Sequence, residues 1–214
     1  MKNALVSLVA VSVLCAFAST CLAGPAKDRV KEGVDKIIAI LDEPAYKGGK
    51  KRDEMVKRVA DLTEDYFDYQ ELSMRAVGEP WLKFSEKQRV DFVKAFSDLL
   101  KKTYLAKVES YNNEKVEYLD EKVEGNRAMV LTEVVTKDKK MSANYKLIKK
   151  DRWMIYDVSG EGVSLVLNYR SQFDAILKKE SPDALIKRIQ DKVKAIDEGK
   201  VDASKDNIFE SKKK

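Results

Sequence analysis

The chain has 214 residues, with 41 lysine and arginine residues against 36 aspartate and glutamate residues and a formal net charge of +5. Both signs of charge are interspersed, which is typical of a solvated mixed surface and argues against a nucleic-acid footprint. The chain contains no histidine, so histidine-based catalytic triads and histidine metal sites are excluded.

The amino terminus has the pattern of a cleaved secretory signal peptide. Lys2 precedes an apolar run from Leu5 to Phe17, and small residues follow as far as Ala23. The run is short for a membrane span, and no second run of about 18 apolar residues follows, so we expect no stable membrane insertion. Residues 1–23 are therefore predicted to be removed.

Both cysteines, Cys15 and Cys21, lie inside that predicted signal peptide. The mature chain would then have neither a disulfide nor a thiol for catalysis or metal binding, and we expect no metal and no cofactor. Residues 24–198 have the length of one domain with a substantial core. The polar, lysine-rich residues 199–214 are predicted to be a disordered tail.

The first half of the mature chain is predicted to be helical. Apolar residues recur at helical spacing from Val30 to Leu41 and again from Met55 to Leu62. Ser85 and Gln88 match a capping box at the start of the longest helix, whose apolar face continues for about 25 residues to Tyr111.

From Lys115 the period changes to two, which indicates strands. Short connections between them predict an antiparallel meander with one apolar face against the helices. The four predicted strands cover residues 115–122, 127–136, 141–149 and 153–158.

Gly160 and Gly162 require the last strand to turn, and a helix over residues 163–179 is predicted to follow. Ser181 and Pro182 are typical of the start of a final helix, whose apolar pattern ends at Gly199. The predicted fold class is therefore α+β, a four-stranded antiparallel meander packed against several helices.

Two questions stay open on the residues alone. Asp157 and Glu161 are spaced for an acid and base pair, although surface carboxylates are the more common reading of such a spacing. The aromatic residues of the predicted helices and strands either fill a core or line a pocket, and periodicity alone favours a filled core.

Two stretches, residues 67–111 and 153–177, resemble the MlaC family of periplasmic phospholipid-binding proteins, also called the toluene-tolerance family. The resemblance covers about residues 30–196. Its most specific elements are Gly78 and Trp81, then Gln88, Phe92, Phe96 and Tyr104, then Asp157, Glu161 to Leu165, Asn168 to Arg170, and Gln172 with Phe173.

The resemblance implies a cone-shaped fold with a deep apolar pocket for the acyl chains of a glycerophospholipid, whose head group stays near solvent. It also implies a periplasmic shuttle, not an enzyme, between an outer-membrane lipoprotein complex and an inner-membrane ABC transporter with a ring of lipid-binding domains. Such a shuttle would maintain outer-membrane lipid asymmetry. The alternatives are a carrier of another apolar ligand, such as a hopanoid or a solvent, or a small enzyme on a similar scaffold.

On this basis we expect nine residues to bind lipid, and we expect Arg170 either to contact a head-group phosphate or to form a structural ion pair. The expected pocket wall is Phe92, Phe96, Tyr104, Val163, Val166, Tyr169 and Phe173, with Trp81 and Tyr145 nearer the mouth.

Overall fold

The computed structural model describes residues 25–49, 51–105, 111 and 113–202. The predicted signal peptide, the segment 106–110 of the predicted longest helix and residues 203–214 of the predicted tail lie outside the described residues. Among the helices that are described, none combines the length and the apolar character needed to cross a membrane.

Six α-helices and one sheet make up most of the described residues, in agreement with the predicted fold class. Short 3-10 helices occupy Pro44–Gly49 and Glu79–Lys83. The α-helices are α1 (Pro25–Leu41), α2 (Arg52–Tyr66), α3 (Tyr69–Val77), α4 (Glu86–Leu105), α5 (Leu165–Leu177) and α6 (Pro182–Asp197).

Two helix starts follow the predicted capping chemistry. The Ser85 backbone N–H donates to Gln88 Oε1 at 2.9 Å, and the Gln88 N–H donates to Ser85 Oγ at 3.2 Å, which confirms the capping box before α4. The Ser181 side chain accepts from the Ala184 N–H at 3.2 Å, with Pro182 in the first turn of α6. Both helices therefore begin at side chains that satisfy their first N–H groups.

The sheet is antiparallel, and its strands follow each other in chain order. The four predicted strands are confirmed to within two residues at each end, and a two-residue fifth strand adds to them. The strands are β1 (Lys115–Glu124), β2 (Arg127–Val135), β3 (Lys140–Lys149), β4 (Trp153–Gly160) and β5 (Val163–Ser164).

The predicted turn after β4 is a tight hairpin between Gly160 and Val163, which pair across it. Both central residues have positive φ, 48° at Glu161 and 80° at Gly162. Positive φ at both positions is the geometry of a type I′ turn, which favours glycine at the second. The hairpin reverses the chain and delivers it directly into α5.

The apolar interior consists of two clusters that meet but do not merge. The first joins α3, α4, α5 and α6, and its aromatic rings pack at centroid distances of 4.8 to 6.0 Å. The second joins α1 and α2 to the inner face of the sheet, where Ala128, Leu147 and Ile155 are paired across three strands. We call these the helical cluster and the sheet cluster.

Asp157 connects the sheet to α5. Its buried carboxylate accepts hydrogen bonds from the Ser164 hydroxyl at 2.7 Å, from the Val166 N–H at 3.1 Å and from Lys146 Nζ at 3.1 Å. The side chain is 3% exposed, so these three donors replace the water that a carboxylate would otherwise bind. Asp157 therefore holds the first turn of α5 against β4.

Replacing Asp157 with asparagine should lower the free energy of unfolding by about 2 kcal/mol, because a buried carboxylate that binds three donors becomes a neutral amide. Urea denaturation followed by circular dichroism measures this loss. Asp151→Asn, at an exposed position between β3 and β4, is the matched control and should change stability by less than about 0.5 kcal/mol. Equal stability of the two variants would contradict the assigned role.

Candidate functional site

A cavity of about 550 Å³ lies where the helical cluster and the sheet cluster meet. It is bounded by α1 and α2 on one side, by the last turns of α4 and the first residues of α3 and α5 on another, and by β3, β4 and β5. Its apolar wall residues are Val30, Val34, Ile37, Leu62, Tyr66, Phe67, Leu72, Leu100, Tyr104, Leu105, Tyr145, Ile155, Val158, Val163 and Leu165.

The cavity has few polar groups for its size. Thr63, Tyr69, Lys101, Ser164 and Asn168 are its main polar wall residues. The Ser164 hydroxyl is already bonded to Asp157, and burial raises the pKa of Tyr69 to about 12, so its phenol stays neutral at ordinary pH. The cavity therefore offers an apolar volume with polar groups at a few points, which is the usual composition of a small-molecule site.

The cavity wall requires a close approach between α1 and α2. A Cβ atom built on Gly33 would lie 2.8 Å from Cδ1 of Tyr66, so the Tyr66 ring packs directly on the α1 backbone. The guanidinium of Arg29 lies 3.8 Å from the centroid of the same ring. Only glycine at position 33 leaves room for this ring, which forms part of the wall.

Three of the nine expected lipid-binding residues line the cavity: Tyr104, Tyr145 and Val163. Tyr104 comes from the last turn of α4, and Tyr145 comes from the inner face of β3. Val163 is 63% exposed, so it lies at the rim where the cavity meets solvent. Their direct contact with lipid remains a prediction.

The other six expected residues lie in the helical cluster and not along the cavity. Their rings and side chains pack against each other; Phe92 and Phe173, for example, meet edge to face at 5.4 Å between centroids. Helical spacing shows that such residues lie on the buried face of a helix. It does not show whether that face packs inside the helical cluster or lines the cavity. The residues placed outside the cavity are Trp81, Phe92, Phe96, Val166, Tyr169 and Phe173, and their contact with lipid stays a prediction.

The largest omission from the expected wall is α1. Val30, Val34 and Ile37 contribute one side of the cavity, and the α2 residues Leu62 and Tyr66 continue it. The apolar spacing of both helices predicts a buried face, and Gly33 between Val30 and Val34 marks a close approach of another element. Neither signal distinguishes a cavity wall from an ordinary core.

Asp157 and Glu161 do not form an acid and base pair. The carboxylate of Glu161 accepts from the Ser142 N–H at 2.7 Å, whereas that of Asp157 caps α5. Neither side chain lines the cavity. Arg170 is also outside it, on the exposed side of α5 beside Gly78, where it lines a shallow surface cleft with Leu167.

Comparison with known proteins decides the family. The model of the MlaC family, described as MlaC protein, matches residues 31–191. The chain belongs to the MlaC family. The match begins in α1 and ends in α6, so it includes most of both apolar clusters and every residue that lines the cavity except Val30.

One relative is the intermembrane phospholipid transport system binding protein MlaC of Haemophilus influenzae, which is 26% identical over 132 residues. The alignment covers 58% of this chain and 62% of that protein. A solved structure of the phospholipid-binding protein from Ralstonia solanacearum, in complex with a phospholipid, has a TM-score of 0.71 at 22% identity. It matches 81% of this chain and 99% of that structure, so the two proteins share one fold.

Val166→Glu tests whether Val166 packs inside the helical cluster. Val166 is 6% exposed in the helical cluster, so a carboxylate there should lower the free energy of unfolding by more than about 3 kcal/mol. Leu167→Glu is the matched control, because the neighbouring side chain is 57% exposed and should tolerate the change. Urea denaturation separates the two variants. If the Val166→Glu protein were as stable as the unmodified protein, Val166 would have to face solvent or a ligand, which would contradict its burial in the helical cluster.

Proposed function

We propose that this chain is a phospholipid-binding protein that carries lipid between membranes, with acyl chain held in the cavity between the two clusters. The observation that carries the proposal is an apolar cavity of about 550 Å³ in a member of the MlaC family. The name of the Haemophilus influenzae relative and the phospholipid in the Ralstonia solanacearum structure support it.

The energetics of lipid transfer explain why such a carrier needs a cavity. Each methylene group exposed to water costs about 0.8 kcal/mol, so two long acyl chains would cost on the order of 20 kcal/mol. A free lipid monomer is therefore too rare in water to support transport. A protein that encloses the chains removes most of this cost.

We further propose that the protein acts in the periplasm as a shuttle between an outer-membrane lipoprotein complex and an inner-membrane ABC transporter with lipid-binding ring domains. By this role it would maintain the lipid asymmetry of the outer membrane. The predicted signal peptide supports an extracytoplasmic site of action. The word "intermembrane" in the name of the relative supports transfer between two membranes.

The simplest role for the site is that of a carrier that catalyses no reaction. The two carboxylates that suggested an enzyme have structural partners outside the cavity. The apolar wall would also accept other hydrophobic ligands, because such surfaces discriminate weakly among apolar shapes. A hopanoid or a hydrophobic solvent is therefore the second candidate cargo.

Native mass spectrometry of the protein purified from periplasm identifies the cargo. We expect a complex with one phospholipid, identified by extraction and tandem mass spectrometry. A stoichiometric hopanoid would preserve the carrier but replace its cargo. A folded protein that binds no lipid from vesicles would contradict the proposal.

Val34→Glu should remove the bound lipid while leaving the fold in place. Val34 is half-buried and lines the cavity on α1, so a carboxylate there introduces a charge against the acyl chain but can still reach water. We expect at least a tenfold fall in copurified phospholipid per protein, measured by extraction, with an unchanged far-UV circular dichroism spectrum. This magnitude corresponds to about 1.4 kcal/mol.

The matched control is Val90→Glu, which makes the same change on α4 at a position that is 69% exposed and outside the cavity. This variant should retain the lipid content of the unmodified protein. Equal lipid content in the Val34 and Val90 variants would exclude α1 from the binding wall.

A further inference from the structure

One charged side chain stands out in the otherwise apolar cavity. Of the described residues that line the cavity, Lys101 is the only one that carries a formal charge at neutral pH. Its side chain on α4 is 19% exposed, and its ammonium is paired with the carboxylate of Glu64 on α2. Glu64 is 56% exposed, so the pair lies where the cavity meets solvent.

An ammonium has three donors, and the hydrogen bond that Lys101 makes within the described part of the chain goes to the carboxylate of Glu64. The Tyr69 ring lies 5.0 Å from Lys101 Nζ. The Tyr69 hydroxyl lies 2.8 Å from the Thr63 hydroxyl, which in turn donates to the Ala60 carbonyl at 2.7 Å. These hydroxyls satisfy each other and do not compete for the ammonium.

A ligand at the mouth of the cavity would meet both the positive charge of Lys101 and the negative charge of Glu64. A ligand with only a negative charge would bind Lys101 but would place a second anion beside Glu64. A ligand with a phosphate and a primary ammonium would bind both side chains and leave neither charge unpaired, which is the arrangement that partial burial favours.

We infer that Lys101 and Glu64 form a head-group site that binds the phosphate and the ammonium, respectively, of a zwitterionic aminophospholipid such as phosphatidylethanolamine. This inference rests on the proposed function and adds the head-group class to it. The acyl chain enters the apolar cavity beside Lys101, and the head group stays at the mouth between α2 and α4. The Lys101 to Glu64 pair opens, and each side chain gains an oppositely charged partner on the lipid.

The test is competition among head groups. The full mature protein and its variants are loaded from vesicles that contain equal amounts of phosphatidylethanolamine, phosphatidylglycerol and phosphatidylcholine with identical acyl chains. Native mass spectrometry then counts each complex. The unmodified protein should take up phosphatidylethanolamine in preference to phosphatidylglycerol.

Glu64→Gln should shift the bound ratio toward phosphatidylglycerol by about threefold to fivefold, the effect expected of one charge pair at a partly exposed site. Lys101→Gln should reduce the total phospholipid bound from all three classes. Asp61→Asn, one turn earlier on α2, and Lys102→Gln, next to Lys101 but paired with Asp197, are the matched controls. Both controls should keep the ratio of the unmodified protein.

A Glu64→Gln ratio equal to that of Asp61→Asn would overturn the inference and leave the proposed function intact. Absence of all three phospholipids from the unmodified protein would instead contradict the proposed function. Soluble glycerophosphoethanolamine, added at the lipid concentration, should not displace the bound lipid. Displacement by it would show a site for a soluble phosphodiester and would also overturn the inference.

Discussion

The structure depends on keeping two apolar surfaces face to face without filling the space between them. Protein interiors are normally close-packed, and an enclosed empty void costs roughly 24 cal/mol per Å³. Over a large enclosed void such a cost would be comparable to the entire stability of a typical domain. The cavity is therefore compatible with folding only if it opens to solvent or contains a ligand. Its walls must also be stabilised by packing on their sides away from the cavity.

Each wall has its own support. The aromatic rings of the helical cluster pack against one another behind α4 and α5, and the sheet cluster holds α1 and α2 against β2, β3 and β4. Asp157 joins the two halves by fixing the first turn of α5 to the sheet. Gly33 admits the Tyr66 ring, which brings α1 close enough to complete the enclosure.

The elements could be predicted from the sequence because their signals are local. The capping box at Ser85, the proline after Ser181 and the alternation in the strands each depend on neighbouring residues alone. The cavity could not be predicted in this way, and α4 shows why. Phe92, Phe96, Leu100 and Tyr104 follow one stripe at four-residue spacing. The first two lie only in the helical cluster, whereas the last two pack on that cluster and also face the cavity. The stripe is continuous in sequence, and only the packing of the other helices divides it.

The central claim is that an acyl chain occupies the space between the two clusters. A crystal structure of the protein loaded with a phospholipid that carries bromine atoms on its acyl chain tests this directly, because anomalous scattering locates the bromines. We expect bromine peaks between Val34 and Leu62 on one side and Tyr145 and Ile155 on the other. Peaks confined to the outer surface of the protein, or a filled core without space for the chain, would contradict it.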